Sequence, residues 1–271
     1  MLTTAQIEQY ENDGYLVVPD FLTSPEVEKL YGIAIADDVM LNHAFDLNDS
    51  TGKKTRLSLW YTPGNDAYGL LTRSKRMVDA VNLLMEGNSE VCHFHSKLMQ
   101  KEPKVGGAWE WHQDYGYWYK NEFLYPGQMM SVMIAITDAN RENGCLEVIK
   151  GSHQMGRVEH GFAGEQVGAS QRFVDLALGR MEHVYVELNA GDALFFHSNI
   201  LHRSGPNLSE QPRWSLISCY NRSGNAPYNE PSGKSTIPID AVPDDALLTR
   251  ELSSLSNGAA FLEKEKDEAL K

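Results

Sequence analysis

Short apolar or alternating segments follow one another from about residue 90 onward and predict a β-rich core. Turn signals such as R-E-N-G, N-A-G-D and S-G-P-N separate these segments. Many short strands with such punctuation indicate an all-β sandwich or barrel rather than alternating β-α units. The segments are V-C-H-F-H-S-K-L-M-Q, W-E-W-H-Q-D-Y, Q-M-M-S-V-M-I-A-I-T-D, C-L-E-V-I-K, H-V-Y-V-E-L, A-L-F-F-H-S-N-I and W-S-L-I-S-C-Y-N.

The first 90 residues have mostly helical spacing. Thr3 and Gln6 fit a capping box before one helix, and T-S-P-E-V-E-K-L opens a second helix with Pro25 in its first turn. The short apolar run Y-L-V-V predicts a strand between them, and R-S-K-R-M-V-D-A-V-N-L-L-M predicts a third helix. Residues 42–56 are rich in Asn, Asp, Gly and Lys, which predicts a loop.

The composition is typical of a soluble globular protein and disfavours some classes of partner. The 37 acidic and 24 basic side chains give a net charge of −13, which argues against nucleic acid or an anionic membrane as the main partner. No apolar run approaches the roughly 20 residues that cross a bilayer, and the polar N-terminus does not resemble a signal peptide. Cys92, Cys145 and Cys219 are far apart, which favours reduced packing residues and a cytoplasmic location.

The aromatic-rich segment W-E-W-H-Q-D-Y-G-Y-W contains the first candidate metal ligands. In a strand, residues two apart share a face, so His112 and Asp114 can point at one metal while Gln113 faces away. A second histidine from another strand would complete the two-histidine, one-carboxylate face of non-haem Fe(II) oxygenases. The H-x-D spacing alone leaves an ordinary structural role equally open.

A third ligand must come from later in the chain, where His202 is favoured over His153, His160, His183 and His197. His202 ends an apolar strand with Ser204 on the same face, and Arg213 begins the next strand as R-W-S. A guanidinium there could bind a carboxylate in bidentate fashion. His197 is the main alternative, but it lies five residues before His202, so strand alternation puts it on the opposite face.

In this order, H-Q-D, N-G-C-L, G-S-H, F-F-H-x-x-x-x-H-x-S-G and R-W-S resemble the phytanoyl-CoA dioxygenase family of Fe(II)/2-oxoglutarate-dependent oxygenases. The resemblance runs from about Phe94 to Tyr220. It implies a mainly β fold, a double-stranded β-helix (a cupin-like jelly roll) with flanking α-helices. We expect a single oxygenase domain over residues 1–271, with mostly helical elements over 1–90, the jelly-roll core over 91–225 and a C-terminal loop and helix over 226–271.

The resemblance also implies the cofactors and the site residues. It implies Fe(2+), 2-oxoglutarate and O2, with hydroxylation of a C–H bond and release of succinate and CO2. Relatives that halogenate replace the carboxylate ligand with Ala or Gly, so the presence of Asp114 favours hydroxylation. The implied iron ligands are His112, Asp114 and His202, and the implied 2-oxoglutarate contacts are Arg213, Ser204, Lys97 and Met133.

Aromatic residues crowd the metal segment and bear on the substrate. Most of these rings can be packing, but two or three could form a cage for a quaternary ammonium group through cation–π attraction. The family includes hydroxylases of small zwitterions. We therefore expect a small-molecule substrate. The favoured candidates are an aminoalkylphosphonate or a quaternary ammonium compound such as 2-(trimethylamino)ethylphosphonate. The expected substrate contacts are Trp118, Tyr61, Trp109, Tyr115 and Arg56.

Two alternatives stay open at this point. One is an acyl-CoA hydroxylase of the same family, which the acidic net charge and the lack of a basic cluster disfavour. The other is a cupin-like metal-binding or sensor module without oxygenase turnover. The sequence predicts no oligomeric state.

Overall fold

The computed structural model describes residues 1–163, 165–228, 234–255 and 260–262. The strands in this described part are β1 (Tyr15–Val18), β2 (Phe45–Asn48), β3 (Lys54–Trp60), β4 (Val91–Lys101), β5 (Trp109–His112), β6 (Met129–Ala135), β7 (Leu146–Ile149), β8 (His160–Ala163), β9 (Gln166–Ala169), β10 (His183–Val186), β11 (Ala193–His197), β12 (His202–Ser204) and β13 (Arg213–Arg222). The α-helices are α1 (Thr4–Asp13), α2 (Ser24–Ala36), α3 (Asp38–Asn42), α4 (Ala67–Thr72), α5 (Lys75–Leu84), α6 (Asp114–Trp118), α7 (Gln171–Leu178) and α8 (Ala246–Thr249).

Two antiparallel sheets form the core of the molecule. The large sheet has the strand order β1-β11-β6-β13-β4-β3-β2, and the small sheet has the order β10-β7-β12-β5. Met133 and Ile217 of the large sheet share one buried cluster with Leu146 and Val148 of the small sheet, so this cluster fills the space between the sheets. The predicted mainly β jelly roll with flanking helices is confirmed.

The alternation along β6 shows how the large sheet separates two cores. Met133 and Ala135 belong to the cluster between the sheets. Val132 and Ile134 belong instead to a second buried cluster that includes apolar residues of α1, α2, α4 and α5. Because successive side chains of a strand face opposite sides, a strand covered on both sides is apolar along most of its length. The helices therefore cover the outer face of the large sheet.

The N-terminal elements form where local signals predict them. Thr3 caps α1: its hydroxyl accepts a hydrogen bond from the Gln6 N–H at 3.3 Å, and Gln6 Oε1 accepts one from the Thr3 N–H at 2.9 Å. Pro25 lies in the first turn of α2, where its missing N–H costs no helical hydrogen bond. The predicted capping box and all three predicted helices of this region are confirmed.

The loop predicted over residues 42–56 was wrong, because this region contains the antiparallel hairpin of β2 and β3. The polar residues that suggested a loop form only its turn, where Asp49 Oδ1 accepts hydrogen bonds from the N–H groups of Thr51 and Lys53 at 2.8 and 2.9 Å. The β3 sequence K-T-R-L-S-L-W alternates, and Leu57 is buried against the inter-sheet core. A strand that begins inside a polar segment is easily read as a loop.

The C-terminal region is described only in part. Its described residues include the short helix α8, whereas the tail helix predicted at the end of the chain lies outside the described residues from position 263 onward. The division of residues 1–271 into three parts of one domain stays a prediction. None of the helices in the described ranges has the length and apolar character needed to cross a bilayer.

Arg222 is a buried arginine whose partners are at the C-terminal end of α5. The last carbonyl groups of a helix have no partner within it. The Arg222 guanidinium donates to one of these, that of Asn82, and to carbonyl groups just beyond the end of the helix. Arg222 is 1% exposed. Its acceptors are the carbonyl oxygens of Asn82, Met85, Glu86 and Ser89 and the side-chain oxygen of Asn82.

Arg222→Met should therefore lower the free energy of unfolding by about 3 kcal/mol, since it leaves several buried carbonyl groups without a donor. Urea unfolding followed by circular dichroism measures this change. Arg180→Met removes the same charge at an exposed position and should change stability by less than about 0.5 kcal/mol. Equal effects of the two substitutions would contradict the role of Arg222.

Candidate metal centre

Two histidines and an aspartate meet where β5 ends and β12 begins. His112 and His202 are paired across the small sheet, and their ring centroids are 4.0 Å apart. Asp114 Oδ1 lies 3.6 Å from His112 Nε2 and 3.8 Å from His202 Nε2. All three side chains are buried, and one ligand atom of each lies within 4.8 Å of the others. Donor atoms at this spacing form the triad that a facial metal site requires.

Backbone carbonyl groups fix which nitrogen of each ring faces the centre. His112 Nδ1 lies 2.7 Å from the carbonyl oxygen of Glu110, and His202 Nδ1 lies 3.0 Å from that of Ile200. Because a carbonyl oxygen only accepts, each Nδ1 donates its proton there, so in the neutral form of each ring Nε2 is the nitrogen with the free lone pair. Burial, together with the neighbouring His112 ring, lowers the pKa of His202 to about 3. His202 is therefore neutral at pH 7, the form that binds a metal.

Asp114 is held as a carboxylate with one oxygen toward the histidines. Its Oδ2 accepts a hydrogen bond from the Ser131 hydroxyl at 2.5 Å. Burial alone would raise the pKa of Asp114, but Lys97 and the two histidines outweigh burial and hold this pKa below its usual range. Sequence reasoning missed Ser131, although a single polar residue on the otherwise apolar strand β6 was an available signal.

The backbone reaches Asp114 differently from the prediction. The predicted strand ends at His112, and Asp114 begins the short helix α6, so strand alternation does not orient Asp114 or the residues after it. Gln113 is fully buried and anchors this change of direction. Its side-chain amide makes hydrogen bonds of 2.7 to 2.8 Å with backbone atoms of Gly156, Val158 and Asn199.

His197, the main alternative third ligand, lies outside the triad. Its Nδ1 accepts a hydrogen bond from the Asn199 N–H at 2.9 Å, and its ring centroid lies 5.1 Å from that of His153. The preceding Phe196 faces the site, with its ring centroid 5.0 Å from that of His202. The alternation of β11 therefore turns His197 away from the triad.

Two cavities lie beside the triad and share part of their walls. The large cavity has a volume of about 110 Å³, and the small cavity has a volume of about 30 Å³. Asp114 lines the large cavity and His202 lines the small one. The residues that line both are Lys97, Trp109 and His112. A metal held by the triad would therefore lie between the two cavities.

Arg213 is buried in the wall of the small cavity. Its Nε has no hydrogen-bond partner among the described residues, and its Nη2 contacts the Met133 sulfur at 3.7 Å. Burial lowers the pKa of Arg213 to about 10, which leaves the guanidinium charged at pH 7. Within the described ranges no carboxylate forms a salt bridge with it. A buried charge without a partner is costly, so this site fits an anionic ligand.

Ser204, which also lines the small cavity, is held by a buried lysine. Lys101 Nζ donates hydrogen bonds to the Ser204 hydroxyl at 2.8 Å and to the Gly205 carbonyl oxygen at 2.5 Å. Burial, with the nearby Arg213 charge, lowers the pKa of Lys101 well below its usual value. Sequence reasoning missed Lys101, although it lies four residues after Lys97 in the same strand and so on the same face.

Most of the large cavity is formed by aromatic and aliphatic side chains. Three of the residues predicted to contact substrate, Trp118, Tyr61 and Trp109, line it. The hairpin of β2 and β3 contributes an aliphatic wall, which the prediction of a loop in this region did not include. The remaining wall residues are Phe45, Leu47, Leu57, Leu59, Phe94, His95, Tyr117, Asn121 and Leu262.

The other two residues predicted to contact substrate lie elsewhere. Tyr115 is buried, and its hydroxyl donates to the Phe123 carbonyl oxygen at 2.6 Å. The Arg56 side chain is half exposed and its Nε lies 3.2 Å from Asp46 Oδ1. Because Leu57 faces the cavity, the alternation of β3 directs Arg56 to the other side of the sheet. In the described part of the chain, neither Tyr115 nor Arg56 lines a cavity beside the triad.

The donor set fits iron together with an organic acid. Two imidazole nitrogens and one carboxylate oxygen are the donor set of non-haem Fe(II) oxygenases, in which further positions on the metal would remain for a co-substrate. Each ligand is in turn fixed by a hydrogen bond, as metal ligands usually are. The charged Arg213 fits the carboxylate of a molecule bound in the small cavity.

Comparisons with known proteins agree with this site. Residues 10–215 match the phytanoyl-CoA dioxygenase (PhyH) family. An L-proline trans-4-hydroxylase from Streptomyces griseoviridis is 30% identical over 241 residues, which cover 81% of this chain and 86% of that protein. A methylphosphonate hydroxylase from Gimesia maris is 29% identical over 227 residues, which cover 81% of each protein.

Solved structures share the fold at lower identity. EctD from S. alaskensis with bound Fe has a TM-score of 0.71 at 19% identity, over 89% of this chain and 88% of that chain. The epimerase SnoN in complex with Fe3+, alpha ketoglutarate and nogalamycin RO has a TM-score of 0.66 at 21% identity, over 93% and 94%.

The family match and the triad confirm the predicted class of enzyme, a non-haem Fe(II)/2-oxoglutarate-dependent dioxygenase, and its use of iron, 2-oxoglutarate and O2. The chain belongs to the phytanoyl-CoA dioxygenase family.

Proposed function

We propose that this protein hydroxylates a C–H bond of a small polar metabolite and releases succinate and CO2. One observation carries the proposal: the small cavity joins two ligands of the triad, His112 and His202, to the charged Arg213, which has no acidic partner among the described residues. 2-Oxoglutarate has two carboxylate groups, so it can chelate a metal at one end and bind a guanidinium at the other.

The residues of the chain would position the reactants and exclude water. When bound, iron with 2-oxoglutarate and O2 supplies the oxidising chemistry. His112, Asp114 and His202 would hold the iron on one side. Arg213 would bind the distal carboxylate of 2-oxoglutarate, and the Ser204 hydroxyl, held by a buried lysine, would lie beside it.

Two further residues would support the co-substrate. Met133 contacts the Arg213 guanidinium and would restrict its movement without competing for its hydrogen bonds. Lys97 lines both cavities, so its positive charge lies where co-substrate and substrate would meet.

The large cavity would hold the substrate. Its aromatic walls suit an apolar or quaternary ammonium group, and Lys97 supplies a positive charge for an acidic group. The best candidates are an aminoalkylphosphonate or a quaternary ammonium compound such as 2-(trimethylamino)ethylphosphonate. The similarity to hydroxylases of L-proline and of methylphosphonate supports a small substrate with an acidic group.

The alternatives have less support. A sensor module is disfavoured because the relatives of this chain are hydroxylases and dioxygenases. For an acyl-CoA substrate, the large cavity offers a single lysine among its described wall residues, where the phosphates of CoA require several positive charges. A cytoplasmic location is supported by Cys92, Cys145 and Cys219, all buried and free.

We expect purified protein with Fe(II) and O2 to convert 2-oxoglutarate to succinate, and the right substrate to accelerate this conversion. A panel of phosphonates, quaternary amines, amino acids and acyl-CoAs identifies the substrate class, with succinate and hydroxylated product measured together. Stimulation by acyl-CoAs alone would contradict a small polar substrate. Absence of succinate with every compound, at full iron loading, would contradict an oxygenase.

Arg213→Met should weaken 2-oxoglutarate binding by about 100-fold, which corresponds to roughly 3 kcal/mol, because a bidentate contact between ions is lost. Iron binding should be unchanged, since Arg213 is not a ligand. Anaerobic calorimetric titration of the iron-loaded protein measures both. Arg172→Met, which removes an exposed charge on α7, is the matched control. Unchanged 2-oxoglutarate affinity in Arg213→Met would show that the co-substrate binds elsewhere.

A further inference from the structure

A one-residue bulge in β4 determines which side chains face the large cavity. His93 and His95 pair with adjacent residues of β13, so Phe94 is an extra residue on β4. Strict alternation would direct His93 and His95 to the same face. Instead, Phe94 and His95 both line the large cavity, while His93 bonds to Ser96 on the opposite face of the sheet. Bulges beside active sites redirect side chains in this way.

His95 is held by aromatic rings and has no hydrogen-bond partner among the described residues. Its ring centroid lies 4.5 Å from that of Phe94, 5.9 Å from that of Trp118 and 6.2 Å from that of Tyr61. The side chain is only 6% exposed. Burial also lowers the pKa of His95 well below its usual value. It is therefore a neutral imidazole with one N–H donor available in the cavity wall.

Lys97 is the next residue of β4 on the same face. Among the described residues that line the large cavity, it carries the only positive charge. The only carboxylate there, Asp114, faces the two histidines and accepts a hydrogen bond from Ser131. A lysine without a salt-bridge partner in the described ranges and a neutral donor without a hydrogen-bond partner thus lie together in one wall. Both can donate to the same acidic group.

We infer that His95 and Lys97 together recognise an oxyanion of the substrate, a carboxylate or a phosphonate, through one neutral and one charged hydrogen bond. The inference rests on the proposed function, because it takes the large cavity as the substrate site. It makes His95 a specificity-determining residue. The acidic group lies at β4, and the apolar or cationic end of the substrate lies toward the rings of Trp109 and Tyr117, which line the same cavity.

Three variants separate this role from a structural one. His95→Phe keeps a ring among the aromatic neighbours and removes both nitrogens, whereas His95→Gln keeps an N–H donor. His153→Leu removes a histidine that lines neither cavity and is the matched control. Circular dichroism melting checks that each variant folds, and His95→Leu replaces His95→Phe if the larger ring prevents folding.

The probes are pairs that differ in the acidic group: L-proline with L-prolinamide, and 2-aminoethylphosphonate with ethylamine. Binding is measured anaerobically with Fe(II) and 2-oxoglutarate by tryptophan fluorescence, since Trp109 and Trp118 line the cavity. The two pairs distinguish a carboxylate from a phosphonate. Affinity for 2-oxoglutarate is measured in the same samples.

We expect the natural protein to bind at least one oxyanion probe and to bind its partner more weakly. His95→Phe should weaken that binding by about 10- to 100-fold, the effect of losing a hydrogen bond to a charged group, with 2-oxoglutarate affinity unchanged. His95→Gln should restore most of the affinity, and His153→Leu should match the natural protein. For the compound that accelerates succinate formation, KM should rise in His95→Phe by a larger factor than kcat falls.

Equal affinity of the natural protein and His95→Phe for the oxyanion probes would overturn the inference. So would a natural protein that binds neither oxyanion probe, or one that binds the two members of each pair equally. In these cases normal 2-oxoglutarate binding would leave the proposed function intact. If the natural protein bound no 2-oxoglutarate, the proposed function would fail first and the inference with it.

Discussion

The direct pairing of His112 with His202 across two antiparallel strands is the constraint on which the rest of the structure depends. A slip of one residue in this register would turn one imidazole to the other face of the sheet. Each ring donates its Nδ1 proton to the carbonyl group two residues earlier, so the backbone sets both position and tautomer. The Nε2 atoms of both rings then face the Asp114 carboxylate. A bound metal ion would coordinate all three side chains.

The neighbouring elements supply what this pair cannot. Buried Gln113 fixes the turn that brings Asp114 to the histidines, and Ser131 occupies the carboxylate oxygen that does not face them. β13 places Arg213 in the wall of the small cavity, and β4 contributes Lys97, which lines both cavities. The site thus draws on both sheets, which explains why its residues are spread over a hundred positions of the sequence.

The β-rich core after residue 90 was predictable, because alternating segments and turn residues mark its strands locally. The triad was predictable from motifs that occur in the order typical of the family. The rest depends on tertiary contacts that leave no local pattern. The polar turn at Asp49 led the sequence to predict a loop, so β3 and the aliphatic wall that it contributes to the large cavity were not predicted. Likewise, strand alternation cannot orient the predicted substrate contact Tyr115, because the strand ends at His112. Nor does alternation mark an extra residue such as Phe94, whose bulge is visible only in the pairing of β4 with β13.

An anaerobic titration with Fe(II) and 2-oxoglutarate, followed by the metal-to-ligand absorption band, tests the central claim most directly. The natural protein and His197→Ala should both form the band with one equivalent of iron, because His197 lies outside the triad. His202→Ala should lose it or require on the order of 100-fold more iron, because one of three ligands is gone. A full band in His202→Ala, or its loss in His197→Ala alone, would contradict the assignment of this metal centre.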